Sequence, residues 1–252
     1  MDVRSSEHVR PQTRLLMSGG GGRLGQELGQ VLLQMVRPSR HEMDIMKPET
    51  IRAAIEQYRP VALVHAAAYT DVAGAEQHPA TCWDVNVQGT VHMVQAAQQF
   101  QLPLIHISTD YVFWGDEGGY REEDPPGPVR NYYSLTKLVA EGLVRVLPRH
   151  LVIRTSFRPR KWSYPKAFTD VYTSQDYVDR IAPEIALAIQ HMEEIPYHTL
   201  HIVGQRTSVY DLARQRAPNV IPASKTEAPV ALPDDISLNI DRWTHLKSTW
   251  KS

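Results

Sequence analysis

The chain has 252 residues, of which 42% are hydrophobic, enough for one large α/β domain or a domain with a small appendage. Its net charge is −1 with acidic and basic residues intermixed, which argues against nucleic-acid binding, and no run of about 18 apolar residues predicts a membrane span. Cys82 is the only cysteine, which excludes an intramolecular disulfide and favours a buried structural thiol in a reducing cytoplasm.

Residues 1–13 are polar and lack an apolar core, so we expect a disordered leader there rather than a signal peptide. From Arg14 onward, short apolar runs typical of buried strands alternate with segments of helical spacing. The predicted strands are residues 14–18, 61–65, 104–108, 151–154 and 199–203, and the predicted helices are residues 24–32, 48–58, 79–100, 133–147 and 176–192. Residues 218–235 indicate a surface connection. The alternation predicts an α/β fold with a doubly wound, Rossmann-type parallel sheet.

The first predicted strand is followed by a glycine turn, with Gly19, Gly22 and Gly25 spaced three apart before the first predicted helix. Glycines allow a tight turn and let a pyrophosphate approach the backbone, while the helix N-terminus offers free N–H groups and a favourable dipole. A bare glycine run is more often a flexible loop. The strand–turn–helix setting favours dinucleotide binding instead.

The type of dinucleotide depends on the residues after the second, very short predicted strand. That segment offers Arg37, Ser39 and Arg40 and contains no carboxylate. An acidic residue there would bind the ribose hydroxyls of NAD and repel a 2′-phosphate, so NADPH is favoured and NADH stays an alternative. The two arginines could also be solvated surface residues. Asp44, with its neighbour Ile45, could accept a hydrogen bond from the adenine amino group.

Tyr133 and Lys137 lie four residues apart in a predicted helix, so their side chains project from the same face. A nearby ammonium stabilises a phenolate, whose parent phenol has a pKa of about 10, and such a tyrosine can exchange a proton with a carbonyl or alcohol oxygen. Many helices carry this spacing by chance with both residues exposed. The polar cluster Ser108-Thr109-Asp110-Tyr111 upstream strengthens the interpretation.

Together these segments resemble the extended short-chain dehydrogenase/reductase superfamily, and most closely the dTDP-4-dehydrorhamnose reductase family. The matching segments are residues 19–25, 65–70, 84–90, 108–113 and 133–141. The resemblance implies a dinucleotide-binding domain over residues 14–155. Residues 156–252 would then form a small, shortened substrate-binding region that includes returning strand and helix elements.

The family's roles carry over where residues match. The resemblance implies that Tyr133 protonates the ketone oxygen, that Lys137 holds the nicotinamide ribose and lowers the tyrosine pKa, and that Thr109 hydrogen-bonds the substrate oxygen. It also implies that Gly22, Arg23 and Leu24 present their backbone to the pyrophosphate, and that Ala66, Ala67, Ala68 and Tyr69 line the adenosine and ribose. Asn86 would brace the strand ends.

Tyr111 helps to distinguish related activities. Sugar-nucleotide 4,6-dehydratases of similar fold carry an Asp-Glu pair after the threonine, and Tyr111 stands where that glutamate would be. Elimination is therefore disfavoured and ketone reduction favoured, whereas an epimerase is harder to exclude.

The substrate-binding residues are less well marked, because the segment after Thr155 is short for this family. The candidate substrate-binding residues are Tyr111, Arg158 and Trp162. Arg158 lies near Trp162 in the sequence, and cations beside aromatic rings suit a sugar diphosphate carrying a base. The same stretch could equally be an exposed basic loop. No spacing among the eleven histidines indicates a metal site.

The sequence thus leaves two main hypotheses and a third. The first is an NAD(P)-dependent oxidoreductase that reduces a nucleotide-linked keto-sugar of the 4-keto-6-deoxy type, with a homodimer as the candidate assembly. The second is a non-catalytic, dinucleotide-binding regulatory subunit. The third is a nucleotide-sugar epimerase that retains its cofactor.

Overall fold

A computed structural model describes residues 14–228 and 231–250, so the predicted leader, residues 1–13, lies outside the described residues. The strands are β1 (Leu15–Ser18), β2 (Met35–Val36), β3 (Ala62–His65), β4 (Leu104–Thr109), β5 (His150–Thr155), β6 (Phe157–Arg158), β7 (Lys166–Phe168), β8 (Tyr172–Thr173), β9 (Asp176–Tyr177), β10 (Thr199–His201), β11 (Thr207–Ser208) and β12 (Ile221–Ala223). The helices are α1 (Arg23–Val31), α2 (Pro48–Tyr58), α3 (Val72–Gln77), α4 (Pro79–Trp83), α5 (Gly89–Gln99), α6 (Tyr132–Val144), α7 (Val178–Gln190), α8 (Val209–Arg214) and α9 (Asp241–Thr249).

Six strands within the described ranges form one parallel sheet in the order β10-β5-β4-β3-β1-β2. The chain runs outward from β1 to β2 and then returns to the other side of β1 as β3. The strand order therefore reverses between β1 and β3, and ligands of such sheets bind at the carboxyl ends of the strands beside that reversal. This topology confirms the predicted doubly wound α/β fold.

The two faces of the sheet carry separate apolar cores because successive side chains of a strand point to opposite faces. Met17 of β1 packs with α1 and α7 on one face, in a cluster that includes Leu28 and Ile185. Leu16, its neighbour in β1, packs on the other face with α2 and α5, in a cluster that includes Ile51. Burial on both faces explains why the strands read as continuous apolar runs.

The C-terminal third of the chain contributes an edge strand to this sheet and a helix to one of its faces. The strand β10 pairs with β5, and α7 contributes Ile181 and Ile185 to the core that also contains Leu24 and Leu28 of α1. The remaining short strands form two-stranded pairs, β6 with β9, β7 with β12 and β8 with β11.

Three predicted elements were wrong in detail. The predicted helix over residues 79–100 is divided by a π-helical turn, Asp84–Gln88. A single π-helical turn inside a helix is rare, and helical spacing of apolar residues does not distinguish it from an α-helical turn. The predicted helix over residues 176–192 begins only at Val178, since Asp176–Tyr177 pairs with β6 as a strand. The predicted connection over residues 218–235 contains β12, which pairs with β7.

Candidate active site

The glycine turn after β1 comes into close contact with the segment after β3. Gly19 has φ +75°, a left-handed conformation that glycine adopts without steric penalty. A Cβ atom at Gly19 would lie 2.6 Å from the amide nitrogen of Ala67, so only glycine fits there. The predicted Gly25 is equally constrained, because a Cβ on it would lie 2.6 Å from the Cα of Gly20.

Helix α1 begins at Arg23 with Gly22 as its N-cap, and its first turn contains no acidic residue. The first N–H groups of a helix lack intrahelical acceptors and carry the positive end of the helix dipole. Gly22 and Arg23 are exposed, whereas Leu24 is buried under the turn. The turn therefore has the room, the donors and the charge to fit the pyrophosphate of a dinucleotide.

The predicted wall residues Ala66, Ala67, Ala68 and Tyr69 follow β3 and are all half-buried. Asn86 fixes this segment from the π-helical turn. Its Oδ1 accepts the Tyr69 N–H at 2.7 Å, and its Nδ2 donates to the Tyr69 carbonyl at 3.2 Å and to Thr136 Oγ1 at 2.9 Å. The Asn86 side chain thereby links the segment after β3 to α6 through hydrogen bonds.

The residues expected to select the cofactor lie on the surface after β2. Arg37 follows β2, donates from Nη1 to the Gly25 carbonyl at 2.9 Å and covers Gly29. Ser39 and Arg40 are exposed. These three side chains are therefore at the open edge beside the glycine turn.

Asp44 and Ile45 are held within the protein. The Asp44 Oδ1 accepts the Met46 N–H at 3.0 Å. Ile45 is buried, and its carbonyl is hydrogen-bonded to His92 Nδ1 at 2.7 Å. The structure accordingly gives Asp44 a turn-forming contact and Ile45 a core position.

Helix α6 carries the predicted tyrosine and lysine. It begins after Asn131, whose Oδ1 accepts the Ser134 N–H at 2.8 Å, as is typical of an N-cap. Tyr133 is 8% exposed and Lys137 is 4% exposed, so neither is the surface residue that chance spacing would produce. The Lys137 Nζ donates to the Ile107 carbonyl of β4 at 2.8 Å and lies 3.3 Å from His106 Nε2.

Burial dominates the pKa values of both Tyr133 and Lys137. Burial raises the pKa of Tyr133 above its ordinary range, the Asp110 carboxylate raises it further, and a hydrogen bond with Thr109 opposes both. Burial lowers the pKa of Lys137 to about 8, against the attraction of Glu141. Desolvation outweighs the favourable neighbours because both side chains are removed from water.

Thr109 and Asp110 lie at the carboxyl end of β4, beside Tyr133. The Thr109 hydroxyl donates to Asp110 Oδ1 at 2.9 Å and accepts the Tyr111 N–H at 3.2 Å. Burial raises the pKa of the Asp110 carboxyl to about 6. The Tyr111 ring meets the Tyr133 ring edge-on, with centroids 6.4 Å apart. Thr109, Tyr111 and Tyr133 thus form one cluster, as the sequence predicts.

The predicted substrate residues lie after β5. The Arg158 guanidinium is 5.3 Å from the Trp162 ring centroid, and Arg158 Nε and Trp162 Nε1 are buried without a hydrogen-bond partner among the described residues. Arg160, by contrast, is paired with Glu27 of α1 through two hydrogen bonds, of 2.6 and 2.7 Å. Arg158 and Trp162 therefore keep unused donors, whereas the Arg160 side chain is engaged.

Two polar groups of this region were not singled out from the sequence. Gln175 donates from Nε2 to Ser156 Oγ at 2.8 Å, while its Oε1 and the Thr155 Oγ1 are buried without a partner in the described ranges. Thr155 is the register partner of Thr109 in the neighbouring strand. Only its position at the carboxyl end of an apolar strand could have indicated it.

Residues 14–228 and 231–250 contain no group of three or more His, Cys, Asp or Glu side chains placed to hold a metal ion. None of their helices is long and apolar enough to cross a membrane.

A family model described as the RmlD substrate binding domain matches residues 13–158. A dTDP-4-dehydrorhamnose reductase from Streptomyces griseus is 37% identical over 154 residues, which cover 58% of this chain and 50% of that protein. A dTDP-4-dehydrorhamnose reductase from Aggregatibacter actinomycetemcomitans is 30% identical over 226 residues, which cover 79% of this chain and 76% of that protein. The chain therefore spans half the length of the first relative and about three quarters of the second.

Among solved structures, the dTDP-4-dehydrorhamnose reductase of Bacillus anthracis in complex with NADP superposes with a TM-score of 0.81 at 24% identity. The superposition covers 93% of this chain and 92% of that chain. The two proteins share one fold over nearly their whole described lengths.

Proposed function

Because the chain belongs to the RmlD substrate-binding-domain family, which includes dTDP-4-dehydrorhamnose reductases, we propose that it is an NADPH-dependent reductase of a nucleotide-linked 4-keto-6-deoxy sugar. One observation carries this proposal. Tyr133 and Lys137 are both buried on one face of α6, and Tyr133 lies against Tyr111 beside the end of β4, where Thr109 is located. A buried phenol with a hydroxyl beside it suits protonation of a ketone oxygen.

When bound, the nicotinamide cofactor supplies the hydride that adds to the ketone carbon. The chain supplies the proton, which passes from the Tyr133 hydroxyl to the ketone oxygen and is later replaced from solvent. Donors placed in advance at an oxygen that gains negative charge provide a large part of catalysis. Lys137 holds the ribose next to the reacting carbon. Thr109 would orient the ketone oxygen by turning its one hydroxyl hydrogen from Asp110 Oδ1 toward that oxygen.

The cofactor proposal rests on the glycine turn and the edge beside it. The uncapped first turn of α1 suits a pyrophosphate. Arg37 and Arg40 suit a 2′-phosphate, since a guanidinium pairs strongly with phosphate oxygens. The Bacillus anthracis reductase, which shares this fold, was solved with NADP, and this supports NADPH over NADH.

The substrate proposal rests on Arg158 and Trp162. Their buried, unpartnered donors suit the oxygens of a sugar diphosphate, and Tyr111 beside Tyr133 suits contact with the sugar ring. An unpaired buried donor costs about 1–3 kcal/mol, so a bound substrate that accepts from these groups would recover that energy.

The test follows oxidation of NADPH and of NADH with a panel of nucleotide-linked 4-keto-6-deoxy sugars. We expect turnover with at least one sugar, faster with NADPH. Tyr133→Phe should reduce kcat at least 10²-fold, the usual order for losing a general acid, while NADPH binding measured by fluorescence stays unchanged.

The matched control is Tyr132→Phe, which removes the hydroxyl of the adjacent tyrosine and should leave kcat intact. Full activity of Tyr133→Phe would contradict the mechanism. If the wild-type chain binds NADPH but oxidises none with any sugar, the non-catalytic regulatory subunit is favoured. Interconversion of sugars without net NADPH consumption would favour an epimerase.

A further inference from the structure

The ammonium group of Lys137 is held from two sides by β4. Its Nζ donates to the Ile107 carbonyl at 2.8 Å, and His106 Nε2 lies 3.3 Å away. Both Lys137 and His106 are almost fully buried. Because a lysine ammonium has three N–H donors and no acceptor, two are occupied by β4 and one remains for another partner.

This contact fixes the tautomer of His106. An ammonium can only donate, so His106 Nε2 must be the acceptor and the ring proton must reside on Nδ1. The Nδ1 has no hydrogen-bond partner among the described residues. The contact with Lys137 is therefore the one side-chain hydrogen bond of His106 within the described ranges. Its loss would leave both buried ring nitrogens without a partner, which is costly in a core.

The neighbouring His65 does not compete for this contact. Its ring centroid is 5.3 Å from that of His106, but its Nδ1 is hydrogen-bonded to Ser18 at 2.7 Å and its Nε2 to Thr90 at 3.0 Å. Since the Thr90 hydroxyl donates to the Asn86 carbonyl at 2.6 Å, His65 donates to Thr90 from Nε2 and accepts from Ser18. Both nitrogens of His65 are thus satisfied without Lys137.

The other titratable groups facing Lys137 come from four elements. They are Glu141 on α6, Cys82 on α4, and His65 and His106 on β3 and β4. Burial lowers the pKa of His106 well below its ordinary value, and the Lys137 charge lowers it further. Burial also lowers the pKa of Lys137 to about 8. Near neutral pH the pair therefore consists of a charged donor and a neutral acceptor.

We propose that His106 is a positioning residue of the active site, which holds the Lys137 side chain through its Nε2 and keeps that side chain in its ammonium form. The effect of His106 on catalysis rests on the proposed function. Its effect on the protonation of Lys137 does not, because a buried ammonium that loses a hydrogen-bond acceptor is destabilised relative to the neutral amine. Without His106, Lys137 would lose its proton at a lower pH.

The test measures the titration of Lys137 directly, in the chain without cofactor or substrate. The protein has seven lysines, so selective ¹³C labelling of their side chains gives few resonances, and Lys137→Met identifies the one that belongs to Lys137. His106→Phe should lower the Lys137 pKa by about one unit or more, since a hydrogen bond to a charged group is lost. The basic limb of the pH–rate profile for ketone reduction should move down by the same amount.

Two conservative variants separate positioning from packing. The amide oxygen of His106→Gln reaches the position of Nε2 and should restore both the titration and the basic limb. His106→Asn has the same amide on a side chain one methylene shorter and should behave like His106→Phe. If His106→Phe does not fold, the comparison of the Gln and Asn variants still tests the proposal. His65→Gln changes a buried neighbour that makes no hydrogen bond to Lys137, and it should shift the Lys137 titration less than His106→Phe does.

The proposal is overturned if His106→Phe and His106→Asn leave the Lys137 titration where it is in the wild type. It is also overturned if the Gln and Asn variants titrate alike. A wild-type chain that reduces no ketone would contradict the proposed function and would leave the titration result standing, so the two failures are distinguishable.

Discussion

Asp110 is the acidic side chain that the fold buries at the end of β4, and its two oxygens have different surroundings. Oδ1 accepts the Thr109 hydroxyl at 2.9 Å, whereas Oδ2 is buried without a partner among the described residues. A carboxylate in this position lacks the water that would stabilise its charge. Burial therefore raises the pKa of Asp110 to about 6.

This shift predicts a pH-dependent stability effect. A raised folded pKa means that the folded state binds more protons than the unfolded state between about pH 4 and pH 6, so stability falls as the pH rises through that window. Asp110→Asn removes the charge and keeps an oxygen for Thr109. The variant should gain free energy of unfolding relative to wild type as the pH rises, levelling above about pH 6.5 at about 3 kcal/mol at most.

Urea unfolding of both proteins between pH 4 and pH 8 measures this difference. Asp84→Asn, which alters an exposed aspartate, is the control and should show no such trend. A stability difference between Asp110→Asn and wild type that does not change with pH would contradict the prediction.

Among elements, α6 is attached to the central sheet by a buried ion pair. The Arg154 guanidinium of β5 donates to both oxygens of Glu141, each at 3.0 Å, and both side chains are 1% exposed. Ser108 of β4 adds a hydrogen bond of 2.6 Å to Glu141. Glu141 follows Lys137 by one helical turn, so the same face of α6 carries the proposed catalytic residues and their attachment.

The pair predicts strong coupling between the two positions. Glu141→Leu leaves the Arg154 guanidinium buried without its carboxylate and should cost about 3–5 kcal/mol of unfolding free energy. Arg154→Met should cost a similar amount because Glu141 is then stranded. The double variant should be less destabilised than either single one, since an apolar pair can replace a buried ion pair.

A double-mutant cycle from urea unfolding measures this coupling. Arg145→Ala is the control, because its side chain is 43% exposed and reaches Glu141 only at 3.4 Å, and it should cost less than about 1 kcal/mol. Additive effects of the two buried substitutions would contradict the prediction.

The bounds of helices and strands were predictable where apolar periodicity is strong. They were not predictable where a short strand forms only because it pairs with another strand. The sheet strands and the helix containing Tyr133 follow from apolar runs and helical spacing. The short strand β9 has only two residues, Asp176–Tyr177, and forms because β6 lies beside it. Such a contact is a property of the folded chain, so local sequence cannot specify it.

The same distinction holds for the site in the molecule as a whole. The glycine turn before α1 and the placement of Tyr133 and Lys137 on one face of α6 were predictable from local spacing, whereas Thr109 was singled out through the resemblance. The role proposed for His106 was not predictable, since it depends on β4 facing α6 and on the contact of His106 Nε2 with the buried Lys137 side chain. Local spacing also does not predict that burial raises the pKa of Tyr133, because desolvation depends on the completed fold.

At the scale of the whole molecule, the sequence predicts a boundary near Thr155 between a dinucleotide-binding domain and a substrate region. The apolar core on one face of the sheet crosses that boundary, because Leu24 and Leu28 of α1 share it with Ile181, Ile185 and Trp243. The strand β10 also covers the edge of β5. We therefore propose that the two segments are functionally distinct but form one cooperative folding unit.

A chain ending after residue 155 should consequently fail to fold. It would expose the apolar face of α1 and an unpaired edge of β5, and an exposed apolar edge strand promotes aggregation. We expect no cooperative urea transition, strong binding of a hydrophobic dye and no NADPH binding. A chain ending after Trp250 retains every helix and strand of the described residues and is the control, which should unfold like the full chain. A sharp transition of the shorter fragment with near-native ellipticity would instead establish residues 14–155 as an independent domain, because a single cooperative transition is the behaviour of a complete folding unit.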